Sequence, residues 1–305
     1  MQRKKIFLID ISSFIFRAFF AIRLLTNSKG QPVNAVYGVM SMLLKLIEEH
    51  KPEAMVCVFD TSAPSFRKEI FHDYKANRGE PPEDLKPQFS LIEKAVDALA
   101  IKRIAISGFE ADDIIATLVK KFKDFEVVIV TGDKDLMQLV NEHVFILDTM
   151  KDVLYTPEAV KNKMGVEPKQ IPDLLGLMGD ASDNIPGVKG VGAKTAVELI
   201  EKFGSIENLY ENINELKEGK RKETILENKE NAFLSKKLAT VNSNLFELVQ
   251  DIDFNSIKYN FKVDDKLISF LKEMEFKQLL KKIAPTIDDV QNQLKNKLKF
   301  SILKV

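Results

Sequence analysis

Short apolar runs bounded by polar residues punctuate the first half of the chain. KIFLID (5–10), AMVCVFD (54–60), FEVVIVTGD (125–133) and HVFILDT (143–149) are rich in β-branched and aromatic residues, the pattern of strands buried on both faces of a parallel sheet. Apolar positions at helical spacing lie among them, in YGVMSMLLKLIEEH (37–50), LKPQFSLIEKAVDALA (85–100), ADDIIATLVKKF (111–122) and DKDLMQLV (133–140). Strands alternating with helices predict an α/β domain: a mainly parallel central sheet flanked by helices. Beyond about residue 157 the pattern changes to helices separated by Gly, Pro and Asn, as in KTAVELIEKF (194–203), ENAFLSKKLATV (230–241) and KLISFLKEMEF (266–276). This predicts a helical C-terminal lobe. One segment fits neither pattern: TSAPSFRKEIFHDYKANRGEPPEDLKPQ (61–88) mixes basic and aromatic residues with Pro81, Pro82 and Pro87. Connections of that length are usually functional or disordered. The Lys/Asn-rich stretch 291–299 reads as a frayed tail.

At 305 residues the chain can bury a substantial core, as one large domain or two modest ones. No apolar run reaches the ~18 residues of a membrane span, and MQRKKIFLID reads as a first strand rather than a secretory signal. The single cysteine, Cys57, excludes an internal disulfide and suits a reducing cytoplasm. It sits inside an apolar run, as a small core residue does. Charge is balanced, with 45 basic and 45 acidic residues, which argues against a nucleic-acid partner unless the two signs are segregated.

The carboxylates are segregated. Asp10 ends the first apolar run, Asp60 the second, and Asp133 and Asp135 follow the third. In an open α/β sheet this places acidic groups from three strands at the carboxyl edge, where ligands bind. A single strand-end Asp is a common turn residue or helix cap; three together call for more. GFEADDIIATLV adds Glu110, Asp112 and Asp113 at a helix start, more than the helix dipole needs. LMGDASDNIP adds Asp180 and Asp183, one helical turn apart. Nine carboxylates at one edge repel one another without cations. Oxygen-only donors, with His50, His72 and His143 scattered, favour Mg²⁺ or Mn²⁺ over zinc. So many suggest two ions clamping a phosphoryl centre. Setting the nine aside from the 45 acidic residues leaves 36 against 45 basic ones, the electrostatic footprint of a phosphate-backbone partner.

GDASDNIPGVKGVGAKTA (179–196) comes within one residue of a phosphate-cradling P-loop. Gly187 and Gly192 have the glycine spacing, but Ala193 intervenes before Lys194 and Thr195, and SDNIP is no strand. The stretch reads instead as a helix–turn–helix hairpin. Its exposed backbone groups around Gly187, Gly190 and Gly192, with Lys194 and Thr195, can hold a DNA phosphate without reading sequence. Arg17, a lone cation among aromatics in SFIFRAFFA, is either a snorkelling arginine or a phosphate contact. In DYKANR, Lys75 and Arg78 are spaced to put two cations on one helix face, with Tyr74 placed to stack on a base; the plainer reading is a solvated basic face. Lys236 and Lys237 either steer phosphates or simply face solvent.

GQPVNAVYGV, FRKEIFHDYKANR, GFEADDIIATL, TGDKDLMQLV and GDASDNIPGVKGVGAKTA occur in this order over roughly residues 5–245. They closely resemble the 5′ nuclease domains of bacterial DNA polymerase I type, within the flap-endonuclease family. The resemblance implies a PIN-like nuclease core over 1–175 with a mobile helical arch at about 61–90. It further implies a helical DNA-binding lobe over 176–290 with its hairpin at 185–204, and a tail over 291–305. It matches all nine carboxylates to metal ligands: Asp10, Asp60, Glu110 and Asp112 mainly around one ion, Asp113, Asp133, Asp135, Asp180 and Asp183 mainly around the second. It implies that Lys75, Arg78 and Arg17 contact the reacting phosphate, and that a K⁺ ion lies at the glycine-rich hairpin. The implied activity is two-metal hydrolysis of phosphodiester bonds at 5′ ends and 5′ flaps of nicked or branched duplex DNA, RNA–DNA primers included. The implied setting is primer removal, nick translation and repair by a monomer at the bacterial nucleoid. Ile11 stands where relatives commonly have Gly and Lys189 where many have Pro; neither removes a ligand. Both a free-standing nuclease and a domain cut from a polymerase fit these stretches. The rival readings are a DNA-binding module without catalysis and a PIN-type ribonuclease. The intact carboxylates oppose the first; the long basic segment and glycine turn oppose the second.

Overall fold

The computed structural model describes residues 3–285, so the expected tail at 291–305 lies outside the described residues. The described chain forms two compact units. One contains the chain up to Ser13, Pro52–Pro81 and Arg103–Lys258; the other contains Phe14–Lys51, Pro82–Lys102 and the chain from Tyr259 onward.

The first unit is built on a six-stranded sheet in the order β3-β2-β1-β4-β5-β6. The strands are β1 (Lys5–Asp10), β2 (Met55–Val58), β3 (Lys102–Ile104), β4 (Glu126–Val130), β5 (Val144–Asp148) and β6 (Val153–Tyr155). β1 pairs in parallel with β2 and β4, with Ile9 opposite Cys57 on one side and Val130 on the other; β4 pairs in parallel with β5, and β6 closes the edge antiparallel to β5. The four strands expected from the sequence are all present. β3 and β6 were hidden because each is only three residues long, and KRI carries two cations on a partly exposed edge. Strand order reverses at β1, so the crevice beyond the carboxyl ends of β1 and β4 is the topological switch point.

The helix Ala111–Lys121 packs against β1 and β2. DKDLMQLV forms a 3₁₀ turn, Asp135–Leu139, rather than the expected helix. The Asp133 side chain takes the Asp135 N–H and starts the turn late, and Val140 is already extended. Downstream, the buried helix Ile171–Met178 packs along Lys229–Ala239. Their backbones approach at Gly176, where a Cβ would meet Ile206 Cδ1 at 2.6 Å and Lys236 Cβ at 2.9 Å. A turn then leads from Ile171–Met178 to the helix Ala193–Phe203, giving the expected hairpin. One hydrophobic core runs from Ile6 and Val56 of the sheet through Leu175, Leu199 and Leu238 to Ile257.

The second unit is helical: most of Ile11–Ala21, then Asn34–His50, Gln88–Ala98, Asp265–Glu273 and Lys277–Ile283. KLISFLKEMEF, expected with the C-terminal lobe, therefore belongs with the N-terminal helices. Gln88 is buried and caps Asn34–His50. Its Oε1 accepts the N–H groups of Ala35 and Val36 at 2.8 and 3.3 Å, and its Nε2 donates to Asn34 Oδ1 at 2.9 Å. Among the described residues no helix is long and apolar enough to cross a membrane.

Candidate metal centre

All nine sequence-predicted carboxylates lie in the first unit, carried by the carboxyl edge of its sheet and the turns beside it. Asp10 ends β1, where Thr131 Oγ1 donates to Oδ2 at 2.7 Å and the Ser13 N–H to Oδ1 at 3.2 Å. Asp60, two residues past β2, accepts the Ala111 N–H at 2.8 Å and the Ser12 hydroxyl at 2.6 Å. Asp133 and Asp135 follow β4 through two short bonds: Asp133 N–H to Thr131 Oγ1 at 3.0 Å and Asp135 N–H to Asp133 Oδ1 at 2.8 Å. Asp180 and Asp183 arrive on the turn after Ile171–Met178. That turn is pinned by reciprocal backbone bonds between Asp180 and Ile185 at 2.9 and 2.8 Å, and Ser182 N–H and Oγ both donate to Asp180 Oδ1.

Electrostatics show that these groups crowd one another. Burial pushes the Asp10 carboxyl up to about 6 against the Thr131 bond, with Asp60 and Asp133 adding repulsion. Burial likewise raises Asp112 well above the usual carboxylate range, with Asp133 and Asp10 contributing. Asp135 is pushed up to about 7 by burial and then by Asp133, despite the neighbouring Lys134. Asp180 goes the other way: burial would raise it, but bonds from Lys134 and Ser182 hold it low.

Side-chain cations stand among the carboxylates. Lys75 contacts Glu110 and lies 3.6 Å from Asp183 Oδ2; Arg78 pairs with Asp183; Lys134 pairs with Asp180 and lies 3.2 Å from Asp135 Oδ1. Burial alone would lower the Lys75 ammonium, yet Glu110 and Asp183 hold it above the usual lysine value. Among the described residues no three His, Cys, Asp or Glu side chains are gathered at metal-ligand spacing. The donor chemistry nevertheless fits a hard divalent cation. It offers oxygen only, from carboxylates that burial and neighbouring negative charge raise, among them an Asp135 Oδ1 buried 3.2 Å from the Lys134 ammonium.

Asp113 differs from the other eight. It is fully buried and gripped by Arg67, with Nη1–Oδ2 and Nη2–Oδ1 both at 2.8 Å, while Oδ1 also accepts the Asn242 N–H at 2.8 Å. With Glu110 it forms a reciprocal capping box at the start of Ala111–Lys121. The structure thus places Asp113 as the structural partner of Arg67, whose guanidinium also reaches Glu110 Oε2 at 2.9 Å. Arg67 was not visible as a site residue; its one signal was a cation in the unusually long 61–88 segment.

That segment is not a continuous helix. Arg67–Ile70 is its only helix before residue 80, and Lys75 has a left-handed φ of 55°, so helical spacing does not set the Lys75–Arg78 pair. The chain is instead tied to the turn at Asp180–Asn184: Lys75 N–H donates to Asp183 O at 2.9 Å, Asn77 Nδ2 to Ala181 O, and Asn184 Nδ2 to Asp73 O. Tyr74, expected to stack on a base, is only 3% exposed, and its hydroxyl lies 3.0 Å from Glu110 Oε2 and 3.2 Å from Asp183 Oδ2. Burial and these two carboxylates raise its pKa far above the usual tyrosine value. The ring is core, out of reach of a base.

The predicted duplex-gripping residues also separate. Gly187 is buried, with a φ of 64°; its N–H donates to Ser235 Oγ at 2.9 Å, and a Cβ there would lie 2.3 Å from Gly179 N. It shapes the turn and leaves no free donor. Gly190, Gly192 and Lys194 are exposed and Thr195 is half-buried at the start of Ala193–Phe203, where the first helical N–H groups lack intrahelical partners. Lys236 is bound to Asp173 at 2.6 Å and Glu207 at 2.7 Å, whereas Lys237 is exposed. Arg17 lies in the second unit, its guanidinium 5.9 Å from the Phe14 ring centroid.

A mostly parallel sheet flanked by helices, with acidic residues at its switch-point edge and a helical hairpin behind, defines a resolvase-like nuclease fold. Residues 5–165 match the family model described as 5′-3′ exonuclease, N-terminal resolvase-like domain, and residues 166–262 match 5′-3′ exonuclease, C-terminal SAM fold. The chain belongs to the 5′-3′ exonuclease family. It is 41% identical over 284 residues to the 5′-3′ exonuclease of Aquifex aeolicus, covering 92% of this chain and 95% of that protein. It is 42% identical over 299 residues to DNA polymerase I of Bacillus caldotenax, covering 96% of this chain but 34% of the polymerase; the chain spans about a third of the length of the polymerases it matches. Its fold is similar to that of T5 5′-exonuclease, solved with bound divalent zinc ions, at a TM-score of 0.67 and 22% identity over 90% of this chain and 99% of that one.

Proposed function

We propose that the chain is a metal-dependent, structure-specific 5′ nuclease that hydrolyses phosphodiester bonds at 5′ ends and 5′ flaps of duplex DNA. The observation that carries this reading is the convergence of Asp10, Asp112 and Asp135, shielded from solvent and each repelled by Asp133, from separate elements at the carboxyl edge of the sheet. Asp10, Asp60, Glu110, Asp112, Asp133, Asp135, Asp180 and Asp183 would hold divalent ions, Mg²⁺ or Mn²⁺. When bound, such ions supply Lewis-acid stabilisation of the phosphate and a more acidic water.

The chain's own residues do the rest. Thr131 and Ser13 orient Asp10, and the bond chain Thr131–Asp133–Asp135 fixes the next two carboxylates. Lys75 and Arg78, once off Glu110 and Asp183, supply positive charge to the phosphate as its charge grows. Gly190, Gly192, Lys194 and Thr195 hold a duplex phosphate, and Lys237 adds attraction. In this division of labour the sheet and the turns at its edge carry the chemistry and the helices between residues 176 and 258 the grip, with Asp180 and Asp183 belonging to both. Nicked and flapped DNA, RNA–DNA primers, a K⁺ ion at the hairpin and a monomer acting at the nucleoid complete the proposal.

The test is cleavage of a 5′-flap duplex with and without Mg²⁺ by the whole chain and by Asp135→Asn. Mg²⁺-dependent cleavage lost in the variant supports the assignment. Cleavage by the variant at the unaltered rate overturns it.

A further inference from the structure

Cations hold part of the acidic edge: Lys75 contacts Glu110, and Arg67 lies 2.9 Å from the same carboxylate. Asp10 is held by neutral donors, the Thr131 hydroxyl and the Ser13 N–H. Asp135 and Asp180 instead share the ammonium of Lys134, which stands at the start of the 3₁₀ turn between Asp133 and Asp135. The Lys134 side chain is 34% exposed, while that of Asp180, its partner, is buried. Asp135 Oδ1 lies 3.2 Å from this ammonium.

An ion that coordinates Asp180 Oδ2 or Asp135 Oδ1 needs the oxygens Lys134 occupies. An ammonium left beside a divalent ion would be strongly repelled even at the effective dielectric of a protein surface. We propose that Lys134 is a positioning residue that competes with the ion taken by Asp135 and Asp180, and so weakens the binding of that ion. Lys134 holds the two carboxylates together until that ion displaces it. This rests on the metal-centre reading above.

The experiment is a Mn²⁺ titration of the whole chain, following free Mn²⁺ by electron paramagnetic resonance, on wild type, Lys134→Gln and Lys134→Arg. Wild type is expected to show two affinity classes. Lys134→Gln is expected to tighten the weaker class about tenfold, the scale of removing one nearby charge at a partly exposed site, and to leave the stronger class unchanged. Lys134→Arg keeps the two classes apart. Melting curves separate competition from simple support: Lys134→Gln should melt below wild type in EDTA, and saturating Mn²⁺ should close the gap. An equal melting loss with and without Mn²⁺, or a weaker class that Lys134→Gln leaves unmoved or weakens, overturns this inference alone. A wild-type chain that binds no Mn²⁺ overturns the metal-centre reading with it.

Discussion

Arg67 and Asp113 form a two-pronged ion pair out of solvent, each guanidinium nitrogen 2.8 Å from its own carboxylate oxygen. Arg67 extends the same grip to Leu238 O at 2.9 Å and Thr240 O at 3.1 Å, joining the 61–88 segment to the end of the helix Lys229–Ala239. Removing one partner of a buried pair strands the other charge, at a cost of about 3–5 kcal/mol. Asp113→Asn should therefore lower unfolding stability by that order in urea titrations while leaving Mn²⁺ stoichiometry unchanged. Loss of a bound ion without loss of stability would return Asp113 to the ligand set.

Stability in EDTA should depend on pH in a defined window. Asp10 and Asp135 bind protons more readily folded than unfolded, rising from 3.8 to about 6 and about 7. Their contribution is fully present below pH 3.8 and is lost as pH rises through about 6 and then about 7. The double variant Asp10→Asn, Asp135→Asn should flatten the slope of stability between pH 4 and 7, read by thermal melting. An unchanged slope would show that burial does not raise these two carboxyls in the folded chain.

Two glycines of the hairpin should respond differently to alanine. Gly187→Ala places a Cβ 2.3 Å from Gly179 N at a left-handed φ, so the turn has to shift and the protein should be strongly destabilised. At Gly190 nothing lies within 4 Å of the added Cβ, which leaves only the left-handed backbone penalty of about 1–2 kcal/mol. Urea unfolding ranks the two. Fluorescence anisotropy with a labelled duplex should show weaker binding for Gly190→Ala.

Neighbouring lysines 236 and 237 give a matched pair. Lys237→Ala should lower the slope of log affinity against log salt by about one for duplex DNA, as loss of one phosphate contact does. Lys236→Ala should leave that slope alone and destabilise the fold, because Lys236 is engaged by Asp173 and Glu207.

Lys75→Met should slow flap cleavage by roughly 10²–10³ with little change in DNA affinity, the scale of removing one preorganised charge-stabilising donor. Single-turnover rates against binding isotherms separate these. Equal losses in both would make Lys75 a binding residue only.

Much of the acidic edge was legible because the side chains that define it sit at strand ends, and strand ends follow from apolar runs. Asp10, Asp60, Asp133 and Asp135 could be placed this way without coordinates. Lys134 was legible in principle, a cation between two aspartates, but its hold on Asp180 spans 46 residues of chain. Arg67 was not legible, since its partners lie at Asp113, Leu238 and Thr240. Tyr74 was misplaced on the DNA side because an aromatic beside two cations has the same sequence pattern whether it stacks on a base or fills a core.

What the sequence by itself determined was local: four buried strands, the helix starts, the glycine turn and the inventory of carboxylates. These follow from side-chain period and backbone propensity, which act between near neighbours. The tertiary structure decided which cation or backbone group each carboxylate meets. Asp113 under Arg67, Asp180 under Lys134 and Gly187 against Gly179 each depend on segments brought together by a shared core. Burial and charge pairing are properties of that assembly, and no single stretch of chain encodes them.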